Sequence, residues 1–157
     1  MDQAVFEEFY PKIYNYVYYR VLHRENAEDI TGVVFYKALS NASLFDENKA
    51  SYATWLFTIA RNCVANFYRD QKDHKPFDEL SCEIAAFGDI GEALLEGEDI
   101  QRLHMLLSTL SERERTVLAL RFWGELSYRE IAGQTGLSEK NVGVILSRTI
   151  TRLRREW

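Results

Sequence analysis

The chain has 157 residues and a formal net charge of -5, and hydrophobic residues make up 46% of it, which supplies a packed core and excludes a wholly disordered protein. No apolar run approaches the roughly 20 residues of a membrane span, and Cys63 and Cys82 are the only cysteines, so we expect a cytoplasmic protein without membrane insertion or a disulfide framework. The three histidines are scattered without metal-ligand spacing, which predicts no metal and no cofactor.

Apolar residues recur mostly at intervals of three and four, which predicts an all-α fold. In residues 1–75 we expect three helices. The first carries an apolar stripe over residues 6–21, whose aromatic rings we interpret as core. Asn26 is expected to cap the second helix, over residues 27–40, and the third is expected over residues 50–71.

The third predicted helix has two different faces. Its apolar residues share one face, whereas Arg61 and Arg69 lie on the opposite face with Asn62 and Asn66 beside them. Two guanidinium groups flanked by amides suit nucleic acid, but an ordinary solvated helix face has the same composition. The residue types alone leave both interpretations open.

Charge divides the chain into three parts. Residues 1–75 contain nine basic and ten acidic residues, residues 76–100 contain eight acidic residues and no basic one, and residues 101–157 contain ten basic and six acidic residues. The middle part also contains Pro76 and three glycines, so we predict a flexible acidic linker between two helical domains. Charges more than about 8 Å apart are screened at physiological salt, so the basic part can still bind DNA.

Two capping boxes mark helix starts in the C-terminal part. Ser111 pairs with Glu114 and Ser127 pairs with Glu130, so that a hydroxyl and a carboxylate satisfy free backbone amides at each start. Gly124 is expected to end the first of these two helices.

The second of these helices, a glycine turn and a longer helix capped by Ser138 together form a helix-turn-helix pattern. Gly136 suits a left-handed turn, and Ala132 is small where the two helices should cross. An ordinary helical hairpin with well-capped helices is the alternative. The apolar residues expected between the two helices are Ile131, Leu137, Val142 and Ile145.

The last helix is expected to bind duplex DNA. Residues on its outer face near the N-terminus would meet base edges in a major groove. Arg152, Arg154 and Arg155 would contact phosphates or stay solvated. The predicted duplex-binding residues are Glu139, Lys140, Asn141, Gly143, Val144, Ser147, Arg148 and Arg152.

Both parts of the chain together resemble the extracytoplasmic-function (ECF) group of bacterial RNA polymerase sigma factors. FEEFYPKIYNYVYYRV is similar to the first helix of their domain 2, AEDITGVVFYKAL to their polymerase-binding helix, and LSERERTVLALRFWGELSYREIAGQTGLSEKNV to their domain 4. The most specific match is SYATWLFTIARNCVANFYRD, which is close to the signature aromatic-x-Thr-Trp-Leu-x-x-Ile-Ala-x-Asn.

The resemblance implies a transcription initiation factor and no enzyme: a protein that binds core RNA polymerase, places it on promoters and helps to open the DNA. Domain 4 would read the minus-thirty-five element as duplex, and domain 2 the minus-ten element partly as single strand, with loop 44–51 holding a flipped base. An anti-sigma factor is a further expected partner. The implied minus-ten residues are Phe45, Asp46, Asn48, Lys49, Arg61, Asn62, Asn66 and Arg69. The implied polymerase-binding residues are Glu28, Asp29, Gly32, Phe35 and Tyr36.

The chain departs from the family pattern at three places. One is RDQKDHK, residues 69–75, which is less basic than the usual end of the third helix, so we expect modest non-specific DNA affinity. Gly32 and Val33 replace a Gln-Glu pair of the polymerase-binding helix, and Gly143 and Val144 replace a basic residue and a serine. Val144 can touch a thymine methyl but cannot form bidentate hydrogen bonds with a base.

Two alternatives are a degenerate sigma-like interaction protein recruited by a partner and a LuxR-type helix-turn-helix regulator. The second alternative requires alternating strands in residues 1–75, where the sequence has none.

Overall fold

The structure, a computed structural model, describes residues 1–74 and 97–157. Within these ranges the chain forms seven α-helices, one 3-10 helix and no β-strand, which confirms the predicted all-α class. The chain divides into two compact units, Met1–Glu83 and Ile84–Trp157. Most of the predicted linker lies outside the described residues, so its flexibility stays a prediction.

Three packed helices form the N-terminal unit, and each of them contacts the other two. The third helix is confirmed, with an end three residues beyond the predicted one. The elements are α1 (Gln3–Val21), α2 (Arg24–Ser40), the 3-10 helix (Ala42–Leu44) and α3 (Tyr52–His74).

A tight turn joins α1 to α2. Leu22 ends α1 in the left-handed conformation, with a φ of 53°. His23 then caps α2, because its Nδ1 accepts a hydrogen bond from the amide of Asn26 at 3.3 Å. The prediction that Asn26 caps this helix was therefore wrong, and Asn26 lies in the first turn of α2. The imidazole replaces the usual Ser, Thr, Asp or Asn cap, which is why the sequence pattern missed it.

Side chains from all three helices form the core of the N-terminal unit. Ile13, Val34 and Leu56 are fully buried. Tyr16 packs edge-on against Phe57, with 5.4 Å between the ring centroids. Burying an aromatic ring of this size contributes more to stability than most aliphatic contacts. This pair therefore holds α1 against α3 and helps to determine which side of α3 is exposed to solvent.

Four helices form the described part of the C-terminal unit. Both predicted capping boxes are confirmed, at the starts of α5 and α6. Gly124 follows α5 as expected, and a Cβ there would lie 2.5 Å from the carbonyl oxygen of Leu120, so a larger residue would require the backbone to move. The helices are α4 (Gly97–Ser108), α5 (Glu112–Phe122), α6 (Tyr128–Thr135) and α7 (Glu139–Glu156).

Helix α4 was not among the predicted elements. It begins at Gly97, so the last four residues of the predicted linker, 97–100, lie in this helix. Glu98 and Asp99 lie in its first turn, where the helix dipole favours negative charge. Two of the acidic residues attributed to the linker therefore stabilise a helix start.

Candidate DNA- and polymerase-binding surfaces

The helix-turn-helix depends on two local features. Gly136 has a φ of 74° and ends α6, with its amide donating to the carbonyl of Ala132 at 3.0 Å. Ser138 then caps α7 by accepting a hydrogen bond from the amide of Asn141 at 3.1 Å. Together these contacts start α7 three residues after Gly136 and fix its direction relative to α6.

Helix α7 has a buried side and an exposed side. Val142, Leu146 and Thr149 are buried. We call its exposed N-terminal side the α7 surface. This side combines one carboxylate with amide, ammonium, hydroxyl and guanidinium groups and one apolar side chain, groups that suit base edges and phosphates. The α7 surface consists of Glu139, Lys140, Asn141, Val144, Ser147 and Arg148.

Gly143, one of the predicted duplex-binding residues, is half-exposed and lies beside the ring of Tyr128 at the start of α6. A Cβ at this position would lie 3.3 Å from Cε2 of Tyr128. The guanidinium of Arg121 lies 5.3 Å from the centroid of the same ring. The lack of a side chain at Gly143 lets Tyr128 pack closely on α7, and the predicted contact of Gly143 with DNA stays a prediction.

Arg152, a second predicted duplex-binding residue, is also engaged within the unit. Its Nη2 lies 3.4 Å from Oε2 of Glu114 at the start of α5. The hydrogen bond from the backbone of Ser111, assisted by Arg152, lowers the pKa of Glu114. A charged carboxylate thus holds Arg152 within the unit, and the predicted contact of this guanidinium with DNA stays a prediction.

The loop before α3 is organised by one carboxylate. Oδ1 of Asp46 accepts hydrogen bonds from the amide and the side-chain Nδ2 of Asn48, at 2.9 and 3.2 Å. The Nζ of Lys49 lies 3.9 Å from Oδ2 of the same residue. Asp46 therefore shapes the turn, and Asn48 and Lys49 are the exposed groups that it presents.

Phe45 connects this loop to the aromatic side chains at the start of α3. Its ring centroid lies 5.3 Å from those of both Tyr52 and Trp55 in the first turn of α3. Phe9 of α1 packs against Tyr52 at 5.4 Å and extends the cluster. The half-buried Phe45 thus links the loop to α3.

Along α3, the four predicted nucleic-acid residues fall on the side away from the core, but with different exposure. Asn62 and Arg69 are exposed, and Arg61 and Asn66 are half-buried. Arg69 also lies 3.8 Å from Oδ1 of Asp70, a contact between two well-exposed side chains that water screens. The amides and guanidinium groups of this face remain available to a ligand.

Helix α2 presents an acidic first half and an apolar second half to solvent. Glu28, Asp29 and Gly32 are exposed as predicted, and Tyr36 is 72% exposed. Phe35, by contrast, is 5% exposed and packs against aromatic rings of α1. A direct contact of Phe35 with a partner is therefore not supported, and its role is to hold α2 on α1.

Two exposed apolar residues of α2 were not predicted as binding residues. Val33 is 45% exposed and Leu39 is 53% exposed, on either side of Tyr36. Their spacing of three residues could have identified them, because positions three apart share a helix face. We call Glu28, Asp29, Gly32, Val33, Tyr36 and Leu39 the α2 surface.

In the described parts of both units, no group of three His, Cys, Asp or Glu side chains is placed to hold a metal ion. The helices within residues 1–74 and 97–157 do not combine the length and apolar composition needed to cross a membrane.

Comparison with known proteins identifies both units. A family model described as sigma-70 region 2 matches residues 5–74, and one described as sigma-70, region 4 matches residues 100–153. The first match removes the LuxR-type alternative, which requires another kind of N-terminal domain.

Relatives match along nearly the whole length. The RNA polymerase sigma factor YlaC of Bacillus subtilis (strain 168) is 31% identical over 157 residues, covering 98% of this chain and 90% of the relative. The ECF RNA polymerase sigma factor RpoE of Cereibacter sphaeroides is 31% identical over 161 residues, covering 98% and 87%. A solved structure of the sigma factor RpoE in complex with the anti-sigma factor NepR from Bartonella quintana has a TM-score of 0.77 at 21% identity, covering 98% of this chain and 94% of that one.

Proposed function

Because this chain belongs to the ECF group of RNA polymerase sigma factors, a group of promoter-directing transcription initiation factors, we propose that its two units recognise two separate promoter elements. The C-terminal unit reads the minus-thirty-five element as duplex. The N-terminal unit binds the polymerase and the minus-ten element. The observation that carries this proposal is the α7 surface, a polar and cationic helix start on a capped helix-turn-helix.

On the α7 surface, the chemistry of each side chain suggests a role. Lys140 and Asn141 donate hydrogen bonds to base acceptors in the major groove, and Val144 contacts a thymine methyl. Arg148 lies one helical turn further along and contacts a base or a phosphate. Gly143 offers no side chain to a base, and Arg152 has no direct role because Glu114 holds it within the unit.

In the N-terminal unit, the loop and α3 together suit an unpaired strand. The turn built by Asp46 presents the polar groups of Asn48 and Lys49, and α3 continues this surface with Asn62 and Arg69. Holding an unstacked base offsets a melting cost of a few kcal/mol, so a small set of such contacts shifts the balance toward open DNA.

The α2 surface is the proposed polymerase contact. Exposed apolar residues bounded by carboxylates suit a partner surface that is apolar with a basic rim. We propose no covalent chemistry for any side chain in the described parts of the chain. The polymerase performs the chemistry of transcription. The protein acts in the cytoplasm, where the polymerase is.

An anti-sigma factor is proposed as a second partner. The RpoE protein of similar fold was solved in complex with one. Exposed residues of the α2 surface such as Tyr36 and Leu39 are suited to a protein that competes with polymerase.

The roles are tested by separating polymerase binding from promoter opening. Tyr36→Ala should weaken binding to core polymerase. Asn62→Ala should leave polymerase binding unchanged and reduce the fraction of open complex, measured by permanganate reactivity of unpaired thymines. Gln71→Ala is the matched control, because it removes an exposed amide from the opposite side of α3 and should change neither quantity. Equal loss of polymerase binding and opening in Asn62→Ala would contradict the minus-ten assignment.

The remaining alternative is a degenerate sigma-like protein that a partner recruits to DNA. It is favoured by Gly32 and Val33, which remove the polar pair from the polymerase-binding helix. Failure of the unmodified protein to bind core polymerase would establish this alternative.

A further inference from the structure

An ion pair connects α7 to the start of α5. Arg152 and Glu114 meet at 3.4 Å, and only 32% and 26% of their side-chain surfaces are exposed. The same carboxylate oxygen of Glu114 accepts a hydrogen bond from the amide of Ser111 at 2.8 Å. The capping box of α5 therefore fixes the carboxylate that holds Arg152.

Arg152 lies on the same stripe of α7 as Arg148, four residues further along the helix. Arg148 is exposed and belongs to the α7 surface, and Arg152 lies at the edge of that surface. A guanidinium released from Glu114 could therefore reach the phosphates that follow the contact of Arg148. Glu114 and a phosphate would compete for the same donors, because both accept from the guanidinium fork.

We propose that Glu114 withholds Arg152 from DNA and thereby lowers the affinity of the C-terminal unit for duplex without changing which bases it reads. Glu114 is a positioning residue in this account, since it acts only through Arg152. The inference rests on the proposed duplex-binding role of α7.

The size of the effect is limited by the strength of the pair. At 3.4 Å the contact is longer than the 2.7–2.9 Å typical of strong charge-assisted hydrogen bonds. Pairs that are partly exposed contribute modestly, so releasing Arg152 should tighten duplex binding by about two- to fivefold. One additional phosphate contact should also make the slope of log affinity against log salt concentration steeper by about 0.9.

The test is Glu114→Gln in the full chain bound to core polymerase, with a promoter duplex selected in a transcription assay. Glutamine keeps the capping box, because its side-chain oxygen still accepts from the amide of Ser111. Glu112→Gln is the matched control, since it removes a carboxylate from the same helical turn but not the one that contacts Arg152. Thermal unfolding of each variant verifies that the C-terminal unit stays folded.

The expected result is tighter binding and a steeper salt slope for Glu114→Gln, with both changes absent when Arg152→Gln is also present. Arg152→Gln alone should leave the salt slope unchanged. The inference is overturned if Glu114→Gln leaves affinity and slope unchanged, if it acts equally in the Arg152→Gln background, or if it acts no more than Glu112→Gln. If the unmodified complex does not bind promoter duplex, the proposed function fails as well, so the two failures are distinguishable.

Discussion

Two exposed glycines in the helix-turn-helix should respond to alanine in opposite directions. Gly133 lies inside α6, and Gly136 ends that helix with a φ of 74°. An added Cβ would have no heavy atom within 4 Å at either position, so packing contributes to neither substitution. The backbone conformation alone therefore determines the sign of each effect.

Gly133→Ala should stabilise the C-terminal unit by about 0.8–1.0 kcal/mol, the difference in helix propensity between the two residues. Gly136→Ala should destabilise it by about 1–2 kcal/mol, the cost of the left-handed conformation for a residue with a Cβ. In a unit of this size about 1 kcal/mol shifts Tm by about 4–8 °C, so the two variants should differ by roughly 7 °C or more.

Calorimetry of the full chain measures this difference, and hydrogen exchange of the amides in α6 and α7 assigns it to the C-terminal unit. Each variant serves as the control for the other, because they make the same chemical change three residues apart. Shifts of the same sign in both would refute the argument that the turn conformation requires glycine at position 136.

Three further predictions concern single side chains. If the guanidinium of Arg148 contacts a base, Arg148→Ala should relax discrimination at one base pair by about 1–3 kcal/mol. If it contacts phosphate, the substitution should weaken binding to all duplexes and make the salt slope shallower by about 1. Unchanged binding to all duplexes would remove Arg148 from the site. Burial lowers the pKa of His104 below its usual 6.5, so the unfolded chain binds that proton more strongly and the C-terminal unit should lose stability as the pH falls below about 6.5. Urea unfolding of His104→Gln should show a smaller loss over that range, and an identical pH profile would contradict this cause. Gly32→Ala should raise the stability of the N-terminal unit by about 0.8–1.0 kcal/mol, because an added Cβ meets nothing within 4 Å; an unchanged or lower Tm would contradict this.

Features encoded by a few neighbouring residues were predictable from the sequence. The capping boxes at Ser111 and Ser127, the cap at Ser138 and the left-handed turn at Gly136 are all confirmed. Each of them depends on hydrogen bonds or φ angles within four residues, so the residue types suffice to identify it.

Features that depend on packing between helices were harder to predict. The residue type of Phe35 suits a partner contact, but only the fold shows that rings of α1 cover it. Gly143 lies beside the ring of Tyr128 and Arg152 pairs with Glu114, and both of these neighbours come from other helices.

Helix α4 was missed for a different reason. Its acidic start continues the charge of residues 76–100, so composition placed it with the linker. A helix can begin with carboxylates because of its dipole, and the amphipathic residues that follow Glu98 were the available signal.

Transcription from a promoter library by core RNA polymerase, with and without this protein, tests the account most directly. The account predicts transcripts that require the protein and share two sequence elements. Arg148→Ala should affect binding only at the upstream element, and Asn62→Ala should affect opening only at the downstream one. Transcripts that are the same with and without the protein would contradict it.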